Sequence, residues 1–102
     1  MELTAAQRAQ FEREGFLLFP DLFSPAEVAA MRQEVVRLSD IHDESVAREH
    51  SGGVKSLFRS HESDGPTASP VFRALVRTPR VQRPVRQVLG TEEIYVYHVD
   101  FR

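Results

Sequence analysis

The stretch "FSPAEVAAMRQEVVRL", residues 23–38, constrains this chain most, because it carries a full set of signals for one amphipathic helix. Ser24 is a capping residue, Pro25 suits the first helical position, and Glu27 stands where its side chain can return to the cap backbone. Phe23 and Val28 are spaced as a hydrophobic staple. Val28, Met31, Val35 and Leu38 recur at helical spacing and make one apolar face, while Arg32, Gln33 and Arg37 point elsewhere. The pattern predicts a helix to about Leu38 with one face to bury.

Similar punctuation organises the rest. Thr4 with Gln7 reads as a second capping box, opening a helix of about ten residues that stops at Gly15. "GFLLFP" holds a four-residue apolar run between Gly and Pro, which predicts a short buried strand over residues 16–19. Residues 39–51 lose all periodicity and include His42 and His50, so an exposed, mobile loop is expected. "GGVKSLFRS" reads as a strand with Val54, Ser56 and Phe58 on one side and Lys55, Leu57 and Arg59 on the other. "HESDGPTAS" is another loop. Two short helices follow, one from Ser69 and Pro70, the other from Thr78 and Pro79 to Gly90. Pro84 inside the second predicts a kink or a 3₁₀ start, since it forfeits a hydrogen bond and crowds the Arg80 carbonyl. Residues 92–102 alternate as a strand, with Tyr95, Tyr97, Val99 and Phe101 on a bulky face expected to pack.

Composition sets the limits. The 102 residues make one domain at most, and 41% hydrophobic with 27% charged residues is ordinary for a globular protein. A net charge of -2 exerts no strong pull on nucleic acid or anionic membrane, so neither is expected as a partner. With no cysteine, disulfides, zinc–thiolate sites and Cys nucleophiles are excluded. No basic-then-apolar leader opens the chain and its apolar runs are too short to span a bilayer, which makes a cytoplasmic location the expectation.

His98-Val99-Asp100 has the spelling of two thirds of a facial iron triad, and in a strand both side chains fall on one side. A third ligand is lacking. His42, His50 and His61 lie in loop-like stretches before this strand, so His98 and Asp100 read as satisfied or solvent-facing groups rather than ligands.

In sequence order, "EREGFLLFPDLFSPAEVAAMRQEV", "SGGVKSLFRSH" and "SPVFRALVRTPRVQRPVRQVLGTEEIYVYHVDFR" resemble the N-terminal third of the phytanoyl-CoA dioxygenase superfamily, specifically its ectoine-hydroxylase-like members. The resemblance implies an α+β chain: a single partial domain over 1–102, with a helical layer over 1–90 and a first core strand over 92–102 of a double-stranded β-helix, or jelly roll, whose core is incomplete here. It implies an Fe(II)- and 2-oxoglutarate-dependent dioxygenase that hydroxylates a small-molecule substrate when complete. On that alignment the family's own His-x-Asp comes later, and this chain alone is expected to bind neither iron nor 2-oxoglutarate stably.

The same alignment puts His98 where relatives carry a substrate-facing Gln, and Arg102 where an Asn approaches 2-oxoglutarate. Asp100 departs from the common pattern. "VKSLF" falls near the mouth of the pocket, which makes Lys55 and Ser56 substrate contacts; without the resemblance, Lys55 is simply the lone lysine on a strand edge, where charge blocks aberrant pairing. Arg73, Arg77, Arg80, Arg83 and Arg86 recur at spacings of three and four, either as a docking stripe for an acidic partner or as the solvated face of two helices. The break at Thr78-Pro79 misaligns the halves and favours the solvated face. Two functions stay open: a piece of an oxygenase, inactive alone, or a non-catalytic interaction module derived from that fold. An outer layer lacking its sheet should expose Phe16, Phe19, Phe72 and the Tyr95/Tyr97 face and self-associate through them.

Overall fold

The computed structural model describes residues 2–97 and 99–101, with Asp100 and Phe101 as backbone. The fold is α+β, in the order α1 (Ala5–Glu14), α2 (Pro25–Ser39), β1 (Val46–Arg48), β2 (Val54–Phe58), α3 (Pro70–Arg77), α4 (Pro79–Leu89) and β3 (Asp100–Phe101). The strands form one antiparallel sheet in the order β1-β2-β3.

Helix ends follow the capping chemistry. Thr4–Gln7 and Ser24–Glu27 form complete capping boxes, and Gly15 and Gly90 close α1 and α4 in the left-handed conformation that glycine adopts without steric cost. Ser69 caps α3 by accepting from the Phe72 amide. Around Pro84 the helix continues, and its first turn carries the 3₁₀-type bond from the Val81 amide to the Thr78 carbonyl.

The core is small. Leu38 of α2, Val46 of β1, Leu57 of β2 and Phe72 of α3 are buried together, with Met31, Val35, Ile41, Val54 and Leu75 packed around them. Glu34 lies on the same buried face of α2. Its carboxylate accepts from the Ser69 hydroxyl and from Arg37, and Arg37 is the main reason it is held below the ordinary carboxylate range. The loop after β2 is tied in by Thr67 Oγ1 donating to Phe58 O at 2.7 Å and Ser69 N donating to Ser60 O at 2.9 Å.

Several expectations need correction. Residues 39–51 are not one exposed loop, because β1 lies within them and Ser45 and Val46 are buried. The Asp43 carboxylate accepts from the Ser45 amide at 2.9 Å to start the turn, and the Arg48 guanidinium donates to the Ser39, Ile41 and Gly52 carbonyls. Polar residues there serve the backbone, which hides the strand from a periodicity reading. Residues 16–19 are not a strand; Leu17 and Phe19 line a groove with Pro84, Val85, Val88 and Leu89 of α4, while Phe16 and Leu18 are exposed. Phe72 is buried, not exposed. Tyr95 and Tyr97 are exposed rather than packed, and within residues 92–102 the described strand is β3 alone.

The two faces of β2 are also revised. Val46 pairs with Leu57 and Ala47 with Ser56, but Arg48 pairs with Val54, so Lys55 is the extra residue of a β-bulge. The bulge lets Val54 and Leu57, three apart, pack against one core; strict alternation would have put them on opposite faces.

This packing sets the outcome of three changes. Ser69→Ala strips Glu34 of one partner and α3 of its cap, and should cost about 1–3 kcal/mol in urea unfolding. Deleting Lys55 leaves the pairs 46–57, 47–56 and 48–54 in uninterrupted register, so it should change stability by less than about 1 kcal/mol. Inserting an alanine between Ser56 and Leu57 instead turns Leu57 out of the core and should unfold the chain. A Lys55 deletion that unfolds it would refute the bulge.

Candidate functional site

Of the four pocket residues expected from the sequence, Lys55 and Ser56 lie among the described residues. Lys55 projects into solvent from the bulge, whereas its neighbour Ser56 is buried. A bulge of this kind re-aims a side chain, and that geometry makes Lys55 available to a ligand. His98 and Arg102 lie outside the described residues. Of Asp100 the backbone is described, paired with Phe58 at the far end of β2 from Lys55.

Among the described residues no three His, Cys, Asp or Glu side chains converge on a point that could hold a metal ion. His42 and His50 are exposed, and His61 is half-buried in the turn after β2. The described residues therefore do not fit the three-donor set that non-haem iron requires, and no chemistry is routed through a metal here. No helix among them is long and apolar enough to cross a membrane.

The turn after β2 has features that its sequence does not announce. Arg59 adopts a left-handed φ of 65°, unusual for a residue with a side chain, and its guanidinium bonds both carboxylate oxygens of Glu62 at 3.2 Å. Directly after it, Ser60 Oγ and His61 Nδ1 are buried without a hydrogen-bond partner among the described residues. A hydroxyl and an imidazole nitrogen in that condition can exchange hydrogen bonds with water or a ligand.

The arginine series is not a continuous stripe. Arg80 donates to Leu22 O at 2.9 Å, forks onto both carboxylate oxygens of Glu27, and lies 4.9 Å over the Phe23 ring. It anchors the start of α2 to α4. Arg86 donates to Glu92 O at 3.0 Å. Arg73 and Arg77 line one open cleft with Glu62 and Ser63, and Arg83 lines another with Arg8, Glu2 and Glu92. The docking stripe is thereby divided between two clefts and a structural anchor, so of the two readings the solvated one describes Arg73, Arg77 and Arg83, and neither describes Arg80.

Glu27 shows the strength of that anchor, since Arg80 first, and the Ser24 amide second, lower its pKa from 4.5 to about 2. A depressed carboxylate stabilises the fold fully above its unfolded pKa and loses that contribution as pH falls through its folded value. Thermal melts of the parent chain and Glu27→Gln should therefore converge between pH 4.5 and 2. A constant difference across that window would exclude the linkage.

With this geometry in view, comparison with known proteins is informative. The model of the family described as phytanoyl-CoA dioxygenase (PhyH) matches residues 11–101. The chain is similar to an ectoine dioxygenase of Bordetella bronchiseptica, 39% identical over 100 residues, covering 93% of this chain and 30% of that protein. It is similar to the ectoine dioxygenase of Nocardia farcinica, 38% identical over 101 residues, with 94% and 32% covered. For the ectoine dioxygenase of Halomonas elongata, the figures are 34% over 95 residues, with 88% and 27% covered. The chain spans less than a third of the length of these curated relatives. A match running from the end of α1 to β3 identifies this chain as a member of the phytanoyl-CoA dioxygenase family.

Proposed function

We propose that this chain is the N-terminal part of an Fe(II)- and 2-oxoglutarate-dependent dioxygenase that hydroxylates a small molecule, and that it is inactive alone. The observation that carries this reading is the family match over residues 11–101 in a chain that covers only 30% of the Bordetella relative. The shape also supports it. The Cα radius of gyration is 15.8 Å, against about 13 Å for a compact domain of this length.

On this reading residues 1–90 are a helical layer and residues 92–102 the first core strand of a jelly roll completed by later strands. His98 faces substrate, Arg102 lies near 2-oxoglutarate, and Lys55, lifted by the bulge, offers a cation to a carboxylate at the pocket mouth. Ser56 contributes from the adjacent backbone position. Each of these side chains binds or orients; none is assigned to hold the metal.

Iron-dependent succinate formation tests the reading. The isolated 102-residue chain should form none, whereas a chimera in which it replaces the matched 100 residues of the Bordetella ectoine dioxygenase should form succinate. In that chimera His98→Ala should retain stoichiometric iron while losing about one to two decades in substrate use, the usual scale for one charge-assisted contact. Turnover by the isolated chain would overturn the fragment reading, and loss of iron on His98→Ala would make His98 a ligand.

A further inference from the structure

A hydroxyl residue stands at the start of each helix, and α4 alone among the described helices does not use it. Thr4, Ser24 and Ser69 each accept from the third amide of their helix, whereas Thr78, at the cap of α4, makes no side-chain cap. The corresponding amide is taken by the Thr78 carbonyl, to which Val81 N donates at 3.1 Å. Thr78 Oγ1 is also buried, with no hydrogen-bond partner among the described residues. A buried hydroxyl in that condition costs free energy and calls for an explanation in its surroundings.

Those surroundings are a cavity of about 200 Å³ between α2, α3 and the start of α4, with Thr78 in its lining. Phe23, Met31, Val71 and Leu75 give it apolar walls. Met31 and Leu75 also pack against the core, which holds that side in place. Ala30 of α2 and Ala74 of α3 line it too, and with only a methyl group at each position the two helices do not close the gap between them. Glu27 and Arg80 complete the lining and satisfy each other. Arg80 Nη1 donates to Glu27 Oε1 at 2.8 Å and to Leu22 O at 2.9 Å, and Nη2 donates to the other carboxylate oxygen. The cavity therefore asks for no counter-charge, and of its three polar side chains Thr78 is the one without a partner among the described residues.

We propose that this cavity binds a small neutral molecule with one ring and one hydrogen-bonding group, a phenol or a cyclic alcohol, whose ring lies among Phe23, Met31, Val71 and Leu75 and whose polar group pairs with the Thr78 hydroxyl. An apolar cavity of about 150 Å³ is enough to admit a benzene ring, so the volume here suits a ring with one substituent. A charged ligand would lose its water to an apolar lining whose ion pair is already matched. Thr78 Oγ1 is shielded in the structure; having no partner, it can step to another staggered χ1 rotamer and meet the ligand without breaking a hydrogen bond. A hydroxyl both donates and accepts, so it serves either a ligand hydroxyl or an ether oxygen. None of these residues is Lys55, Ser56, His98 or Arg102, and the site stands independently of the oxygenase reading. A bound molecule would span α2, α3 and α4 and stabilise their arrangement by mass action.

Titration with phenol, followed through backbone amide resonances of the 102-residue chain, tests the proposal. Saturable shifts should be confined to residues 23–31 and 71–80, and the melting temperature should rise with phenol. Toluene has the same ring and shape without the hydroxyl, and should bind about three- to tenfold more weakly, the scale of one hydrogen bond. Thr78→Val keeps the side-chain shape and should bring phenol down to the toluene affinity. Ala74→Leu and, from the facing helix, Ala30→Leu fill the cavity from exposed positions, so each should abolish the shifts while leaving the chain folded. The same titration on the Bordetella chimera, which also serves if the isolated chain gives no folded spectrum, should show the same shifts. Phenol shifts that are absent from these residues, or that survive both leucine variants, overturn the proposal. Equal affinity for phenol and toluene, or no effect of Thr78→Val, leaves the hydroxyl to water and overturns the ligand class. Binding by the isolated chain but not by the folded chimera gives the cavity to a side chain of the remaining domain, and overturns it as well.

Discussion

The carboxylate of Glu34 is the point on which the rest of the packing turns. It lies on the buried face of α2, between Met31 and Leu38, and receives the hydroxyl of Ser69 across a separation of 35 residues. The same hydroxyl accepts from the Phe72 amide at 3.2 Å and caps α3. One hydrogen-bonded chain therefore fixes the start of α3 against the middle of α2 and delivers Phe72 to the core beside Leu38, Val46 and Leu57. An ionised group can stay inside only while its lone pairs are occupied, and Arg37 at the rim occupies another. Lose the alignment of α2 and α3, and the carboxylate gives up its Ser69 hydroxyl and keeps only Arg37. The link is thus more specific than an apolar contact of the same area.

Local chemistry was legible from sequence wherever a residue acts on its own backbone. The capping boxes at Thr4 and Ser24, the cap at Ser69 and the stops at Gly15 and Gly90 depend on neighbours three or four residues away. What was not legible depends on partners distant in the chain. Residues 16–19 have the pattern of a strand, but a strand also needs a second strand beside it. β1 lies within a polar stretch and is held by Arg48 and Asp43, residues that a hydropathy pattern assigns to solvent. The bulge at Lys55 shifted the β2 face pattern by one residue, and only the pairing with β1 reveals the shift.

The same division runs through the functional residues. Arg80 looked like one member of a basic series because its partners, Glu27 and the Leu22 carbonyl, are more than fifty residues away. Ser60 and His61 gave no signal, since a buried atom without a partner can be recognised only once its surroundings are known. Lys55 was singled out through family resemblance, and the bulge now gives a physical reason for its exposure. His98-Val99-Asp100 shows the converse problem, in which a short spelling matches a metal motif while the other histidines, His42, His50 and His61, lie in stretches whose pattern says nothing of where they meet in space.

The small core reflects which contacts can be completed locally. With Leu3, Leu38, Val46, Leu57 and Phe72 as the buried apolar residues among those described, the chain encloses little surface for its length. Side-chain caps nevertheless start α1, α2 and α3, left-handed glycines close α1 and α4, and α2 and α3 share the Glu34–Ser69 link. Helix ends and hairpins can be completed locally, so they form here. A jelly-roll core cannot be completed locally, because each strand takes its partners from distant parts of the chain. The α2–α3 unit, with Phe72 seated beside Leu38 and Leu57, is therefore the part whose packing depends least on distant strand pairing.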